Sequence, residues 1–571
     1  MTKMGTVYRG VAASDGVAVA KAWLVAPREP SVERAEIADP QAEWARVERA
    51  IAAAKEELAA LRQTALEKLG EAKAQLFVAH AQMLDDPELT GQIRQAIEAE
   101  RVNAEWAVKT VIDTLVGLFD ALDDEYMRQR AADVRDVGSR LLRHLQGGDR
   151  ASLADLAEPV VLVARDLAPS DTVQLDPALV RAFVTDIGGR TSHTAIMARS
   201  LGIPAVVGLG DITAHVESGQ VLAVDGSEGL VVVEPNEEEL ARFSAQVERQ
   251  QGERSRLAAL RDAESVTPDG RRVEIAGNIG TPAEVEQVLA QGGEGIGLFR
   301  SEFLYMNRET APTEEEQFAA YKEVAEAMAG RPVIVRTLDV GGDKGIPYLG
   351  LPHEDNPFLG YRAIRVCLDQ RELFAAQLRA ILRASHYGKL RVMFPMIATV
   401  EEVRAAKREL EAAKQALREE GVPFDEDIEV GIMIEIPAAA VMADRLAREV
   451  DFFSIGTNDL VQYTLACDRL NERISHLYQP LNPSVLRLVK MVIDGAHAEG
   501  KWVGMCGELA GDPRATAILL GLGLDEFSMS AGSILKVRDV VRNTRYEDAK
   551  ALAAQALEAD TEADVLKLVE A

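Results

Sequence analysis

The sequence predicts a multidomain α/β chain: an α/β domain interrupted by a helical bundle, a connector helix, and a C-terminal (β/α)8 TIM barrel. Three observations predict it. From Val273 onward, short apolar strand-like runs alternate eight times with amphipathic helical stretches. Between Pro40 and Gly148 the chain is helical in pattern and rich in Ala, Glu, Leu, Lys and Arg. Strand signals around Gly10 and Gly16 stop before this stretch and resume after it at Pro159. A chain of 571 residues is also too long for one core.

In chain order, residues 1–30 and 150–234 are expected to form the α/β domain, its opening strands joining Val160–Val163, Ala182–Thr185, Ala205–Val207, Val221–Val224 and Leu230–Val233. Residues 35–148 form the inserted helices: Glu43–Lys68, which has no glycine, then Glu71–Leu84, Pro87–Glu100 and Asn103–Leu145. Nothing in them looks like a polar site. Residues 235–266 form the connector, a polar helix to about Ala263 that starts at Asn236, a good N-cap with Glu237, Glu238 and Glu239 in its first turn. Residues 267–571 form the barrel, with strands at Val273–Ala276, Gly295–Phe299, Pro332–Val335, Arg391–Phe394, Val430–Ile434, Phe452–Ile455, Trp502–Met505 and Glu526–Met529.

Composition narrows the function. The formal charge of −29 repels nucleic acid and anionic membranes and suits a basic protein partner. No apolar run reaches the ~20 residues of a membrane-spanning helix, and Asp15 interrupts any signal-type apolar core. Three widely spaced cysteines, Cys367, Cys467 and Cys506, point to a reducing, cytoplasmic setting. No Walker loop and no CxxC pair is present.

Two constellations carry chemistry. The first is Gly188-Gly189-Arg190-Thr191-Ser192-His193-Thr194-Ala195-Ile196-Met197-Ala198-Arg199, a strand-to-helix turn. A histidine near a helix N-terminus is kept neutral, and a neutral imidazole attacks electrophiles. A phosphoryl group gained by His193 would meet unpaired backbone N–H groups, Arg190 and the hydroxyls of Thr191 and Ser192.

The second lies at the carboxyl ends of the barrel strands, where such barrels place their chemistry. Those ends carry Asn278, Arg300-Ser301-Glu302, Arg336 with Asp339 and Gly341-Gly342-Asp343-Lys344, Glu435, Gly456-Thr457-Asn458-Asp459, and Cys506-Gly507-Glu508. Arg469 follows in a loop. Arg300, Arg336 and Arg469 at one mouth make a site for a phosphate and a carboxylate together. Glu435 and Asp459 leave coordination positions open, as Mg²⁺ requires beside a phosphorylated substrate. Cys506, ending a strand among charges, is a candidate proton donor. Cys367 and Cys467 are expected to be structural, and His80 lies on the helical domain.

The run Gly188–Arg199 resembles the phosphohistidine signature of phosphoenolpyruvate-utilising enzymes, and Asp451–Tyr463 resembles their second signature. The helical insertion and the run around His80 resemble the Enzyme I branch of that family, from the bacterial sugar phosphotransferase system. The resemblance covers essentially the whole chain. It implies that phosphoenolpyruvate phosphorylates His193 and that the group then passes to a histidine of the carrier protein HPr. It implies that Arg300, Arg336, Asn458, Asp459 and Arg469 bind phosphoenolpyruvate, that Glu435 and Asp459 hold Mg²⁺, and that Cys506 protonates the enolpyruvate. Thr172 and Lys344 would assist with phosphate, the helices around His80 would dock HPr, and the barrel would form a homodimer.

Relatives that make phosphoenolpyruvate from ATP share both signatures but add a nucleotide-binding domain for which this chain has no room. Nitrogen-type relatives add an N-terminal sensory domain. Here the phosphohistidine domain begins with the first residues, which favours the sugar-transport form. Two further readings are a catalytically silent regulatory relative that binds phosphoenolpyruvate, against which the intact His193, arginine and Cys506 set argues, and a metal-dependent lyase, which leaves His193 unexplained.

Overall fold

The computed structural model describes residues 5–25, 32–69, 71–120, 125–147, 156–167, 175–176, 178–189, 192–306, 308–341 and 346–570. The chain divides into two compact units, Met1–Glu253 and Arg254–Ala571.

In the first unit, strands β1 (Thr6–Arg9), β2 (Val11–Ser14), β3 (Val17–Leu24), β4 (Val160–Ala164), β5 (Val180–Thr185), β6 (Ala205–Val207), β7 (Val221–Asp225) and β8 (Leu230–Val233) form one mixed sheet in the order β1-β8-β7-β3-β4-β5-β6-β2. Its central strands are apolar on both faces. Val161, Val163 and Val184 face one cluster, and Leu162, Ala164 and Phe183 face the other. That is why β4 reads as a continuous apolar run rather than an alternation. β3 and β4 are parallel neighbours, and the helices α1 (Pro40–Leu69), α2 (Glu71–Leu84), α3 (Pro87–Glu100), α4 (Ala104–Asp120) and α5 (Glu125–Gln146) lie between them in sequence. The single expected stretch Asn103–Leu145 is therefore two helices. Val47, Leu58, Phe77, Ile93, Val108 and Leu141 share the apolar core of these helices.

Helix α6 (His193–Leu201) follows β5. Helix α7 (Glu237–Ala258) ends earlier than the polar pattern suggests. It begins with a reciprocal cap: the Asn236 N–H donates to Glu239 Oε2 at 2.9 Å, and the Glu239 N–H donates to Asn236 Oδ1 at 2.9 Å.

In the second unit, β9 (Glu274–Ile279), β10 (Ile296–Arg300), β11 (Val333–Arg336), β12 (Leu390–Phe394), β13 (Glu429–Ile434), β14 (Phe452–Ile455), β15 (Trp502–Met505) and β16 (Glu526–Met529) are all parallel and close into a barrel through β16–β9 pairing. The strand starts hold an unexpected polar layer. Glu526 is wholly buried and in register with Glu274. A Cβ on Gly297 would stand 2.0 Å from its Oε1, and one on Gly504 1.9 Å from its Oε2, so a glycine of β10 and a glycine of β15, the strand beside β16, seat the carboxyl group. Burial, then Glu274, pushes Glu526 well above the carboxylate range, with Arg391 pulling the other way. The folded group therefore binds a proton that the unfolded chain releases above its ordinary value of 4.5. As pH rises past that value, folding stability falls until the folded group itself ionises. Glu526→Gln carries no such proton. Relative to this variant, the unaltered barrel should lose thermal stability as the pH rises above about 5. Fluorescence of Trp502, the tryptophan of the barrel, reads the transition. Parallel pH profiles for the two chains would contradict the assignment.

Candidate active site at the barrel mouth

The barrel brings the expected residues together. Arg300 and Arg336 end β10 and β11 in register. Glu435 follows β13, Asn458 and Asp459 open the helix Thr457–Leu465 after β14, and Cys506 follows β15. With Arg469, Asp339 and Arg362 they line one cavity.

The charges around this cavity alternate. Arg336 pairs with Glu302 at 2.8 Å and Asp339 at 3.0 Å. Asp339 also pairs with Arg362 at 3.0 Å, Arg362 with Asp459 at 3.5 Å, and Asp459 with Arg469 at 3.7 Å. All but Arg469 are nearly inaccessible to solvent. Burial opposes the charge on Arg336, but Glu302 and Asp339 outweigh it and hold its pKa above the ordinary value. Arg362 is held up in the same way by Asp339 and Asp459. The Nε atoms of both arginines are buried without a hydrogen-bond partner. Such donors carry a desolvation cost.

Glu435 is the most protected acid. Its Oε1 accepts the Met396 N–H at 2.6 Å. Burial, then Asp459 and Asp339, pushes its carboxyl up to about 8. Asp459 Oδ1 accepts no hydrogen bond. Among the described residues no three His, Cys, Asp or Glu side chains form a metal cluster. Two carboxyl side chains, one with an oxygen that accepts no hydrogen bond and has Arg469 3.7 Å away, still fit Mg²⁺, which is commonly held by one or two carboxylates plus substrate phosphate. Asn458 Oδ1 accepts the Glu508 N–H at 3.0 Å, leaving the amide nitrogen as the group available to a ligand. Burial pushes the Cys506 thiol up to about 11, opposed by Ser454 and Arg336, so the thiol keeps its proton at neutral pH.

Sequence reasoning missed Arg362. It inspected strand ends, whereas Arg362 lies far into the connection after β11. The available signal was the connection itself, too long for a plain βα loop. His80 is a core histidine: its ring is wholly buried, with Nε2 3.2 Å from Asp133 Oδ1 and Nδ1 3.5 Å from Asp136 Oδ2. Asp136 pairs with Arg140 at 3.5 Å, and Glu57 receives Arg140, Arg143 and His144. The helices therefore do contain a polar cluster, invisible in sequence because it is gathered from α1, α2 and α5.

In the first unit, Gly188 has φ +121°, a conformation suited to glycine, at the turn into α6. Ser192 caps α6, its hydroxyl oxygen accepting the Ala195 N–H at 3.3 Å, which still leaves its O–H as a donor. His193 is the first residue of the helix. Its side chain, Arg190, Thr191, Thr172 and Lys344 lie outside the described residues.

Arg362→Ala would leave Asp339 and Asp459 buried without the cation between them. Removing one partner of a buried pair typically costs about 3–5 kcal/mol. Denaturant unfolding of the barrel should show a loss of that order, and Arg362→Lys a smaller one. Equal stability in all three chains would show that the alternation is not needed for folding.

Three family descriptions match the chain: "PEP-utilising enzyme, N-terminal" over residues 9–130, "PEP-utilising enzyme, mobile domain" over 156–229, and "PEP-utilising enzyme, PEP-binding domain" over 254–546. The phosphoenolpyruvate-protein phosphotransferase of Enterococcus faecalis is 55% identical over 99% of this chain and 99% of its own length. That of Geobacillus stearothermophilus is 55% identical over 98% of this chain and 97% of its own length. That of Staphylococcus carnosus is 53% identical over 99% of both. A rim of paired arginines and acids above a closed parallel barrel, and full-length likeness of this degree, lead to one conclusion: the chain belongs to the phosphoenolpyruvate-utilising enzyme family.

Proposed function

We propose that this chain is a phosphoenolpyruvate-protein phosphotransferase that phosphorylates its own His193 and passes the group to a histidine of the carrier HPr, the first step of sugar uptake by the phosphotransferase system. The observation that carries the reading is the cavity itself: four arginines, Arg300, Arg336, Arg362 and Arg469, beside a protonated thiol. That set matches an anion bearing both phosphate and carboxylate whose leaving group needs a proton.

Arg300, Arg336, Arg469 and Asn458 bind phosphoenolpyruvate and orient its phosphate, with Arg362 beside them. A nitrogen of His193 forms the new bond to phosphorus as the bridging P–O bond breaks, and the electron pair leaves as the enolate of pyruvate. The Cys506 S–H bond then breaks, and its proton goes to the methylene carbon, giving pyruvate. Mg²⁺ bound at Glu435 and Asp459 would supply positive charge to the phosphate and the enolate oxygen. The rim explains that need: Arg300, Arg336, Arg362 and Arg469 are matched by Glu302, Asp339, Glu435 and Asp459, so fully ionised it has no net charge to offer a multiply charged anion. His193 and the cavity belong to different units, so the histidine must reach the barrel for phosphorylation and leave it for the carrier. The acidic chain suits a basic carrier docking on α1–α5, the barrel serves as the homodimer contact, and the setting is the cytoplasm. Among the described residues no helix is long and apolar enough to cross a membrane.

Incubation with phosphoenolpyruvate and Mg²⁺ should place an acid-labile, base-stable phosphoryl group on the chain. His193→Ala should abolish labelling and leave phosphoenolpyruvate affinity nearly unchanged, since the binding groups are on the barrel. Retained label would remove His193 from the mechanism, and lost affinity would refute the division of labour. Glu435 supplies a second check. Its carboxyl, pushed up to about 8, must lose a proton to bind a cation. Mg²⁺ affinity should rise about tenfold per pH unit below that value and level off above it. In Glu435→Gln, calorimetric titration should find weaker binding with no such slope.

A further inference from the structure

We propose that Asn278 is a positioning residue for proton transfer at Cys506, its amide holding the Cys506 carbonyl against the end of β9 and so setting where the thiol stands. The inference rests on the reading of Cys506 as the acid that protonates the enolate.

Asn278 sits in β9, two strands from β15, and does not line the cavity. Its Nδ2 donates to the Cys506 carbonyl at 2.9 Å and to the Ser528 carbonyl at 3.4 Å. Its Oδ1 accepts the Ser528 hydroxyl at 2.6 Å. Turning the amide over would set its oxygen against two carbonyls, so Ser528 fixes which end faces Cys506. On the other side, the Cys506 N–H donates to the Ile455 carbonyl at 3.1 Å. Cys506 is thus gripped from both directions, by β14 through its N–H and by β9 through its carbonyl. The sulfur is held weakly, 3.9 Å from Sγ to the Ile455 carbonyl with the Ser454 hydroxyl beside it. The backbone grip therefore helps to set the position of the proton. A displacement of about 1 Å at a reacting group can cost about 100-fold in rate.

The test isolates the proton step. The full chain is incubated with pyruvate and Mg²⁺ in D₂O, and loss of the pyruvate methyl signal is followed by NMR. In this direction the Cys506 thiol first gives its proton to solvent, the thiolate so formed takes a methyl proton as the C–H electron pair becomes the enolate double bond, and the thiol exchanges with solvent and returns a deuteron to the methylene carbon. Asn278→Asp keeps the shape but puts an acceptor where the donor was. It should lower the maximal exchange rate about 10- to 100-fold and leave the pyruvate concentration for half-maximal rate unchanged. Ser528→Ala should lower the maximal rate less, in the same direction. Cys506→Ala should abolish exchange. Exchange that survives in Cys506→Ala, or is absent from the unaltered chain, overturns the reading of Cys506 and the inference with it. If Cys506→Ala is dead but Asn278→Asp keeps the full maximal rate, or changes only the half-saturating concentration, the reading stands and the role of Asn278 is refuted. Should Asn278→Asp not fold, as judged by circular dichroism, Ser528→Ala decides alone: an unchanged rate refutes the role.

Discussion

The barrel mouth depends on one interaction, the alternating run Glu302–Arg336–Asp339–Arg362–Asp459–Arg469. Ions this deeply buried are tolerated only when each meets its opposite, because desolvation costs several kcal/mol per ion (about that order after relaxation) and a lone charge has nothing to offset it. Alternation satisfies the requirement without cancelling function. Each guanidinium is fixed by its acids on the Nη side and keeps Nε unpartnered on Arg336 and Arg362. The guanidiniums are therefore held in place before any ligand arrives, and little reorganisation is left for the reacting complex. The same acids raise the proton affinity of Glu435, coupling cation binding to the arrangement that holds the arginines.

The two ends of the barrel use buried charge in opposite ways. At the strand starts, Glu526 has no salt-bridge partner of its own and is kept neutral in a seat made by two glycines. At the strand ends, Glu302, Asp339 and Asp459 are paired with Arg336, Arg362 and Arg469, while Glu435 is pushed toward its protonated form. A neutral acid closes one end of the barrel, and a balanced set of ions prepares the other for an anion.

The architecture was legible because local pattern and position agreed. Eight βα alternations argued for a parallel barrel, and the apolar β4 and the run Ala182–Val184 of β5 read as buried strands. Arg336, Glu435, Asn458, Asp459 and Cys506 were legible because each directly follows or ends a strand. Arg362 was not, since a residue in a long connection has no periodicity to place it. The His80 cluster was hidden for a related reason: Glu57, His80, Asp133, Asp136 and Arg140 meet only when three helices pack, and each alone looks like an ordinary helix-surface residue. Helix caps were read where the residue types demand them, as at Asn236. The engagement of Ser192 as a cap was missed because a serine before a helix can serve either backbone or ligand.

The parallel pairing of β3 with β4 has a consequence for how the first unit came to be built. Parallel neighbours cannot be joined by a hairpin; the chain must travel back over the sheet through a crossover of about a dozen residues or more. Everything between Leu24 and Val160, helices included, occupies the place of that crossover. The helical segment is thus an enlarged version of a link the sheet already required, not a module spliced into a closed loop. Deleting it outright would leave two strands that no short tether can connect, whereas trimming it to a single helix would preserve the topology. An ancestral form with only such a short return path is topologically complete, and the five-helix body reads as growth upon it.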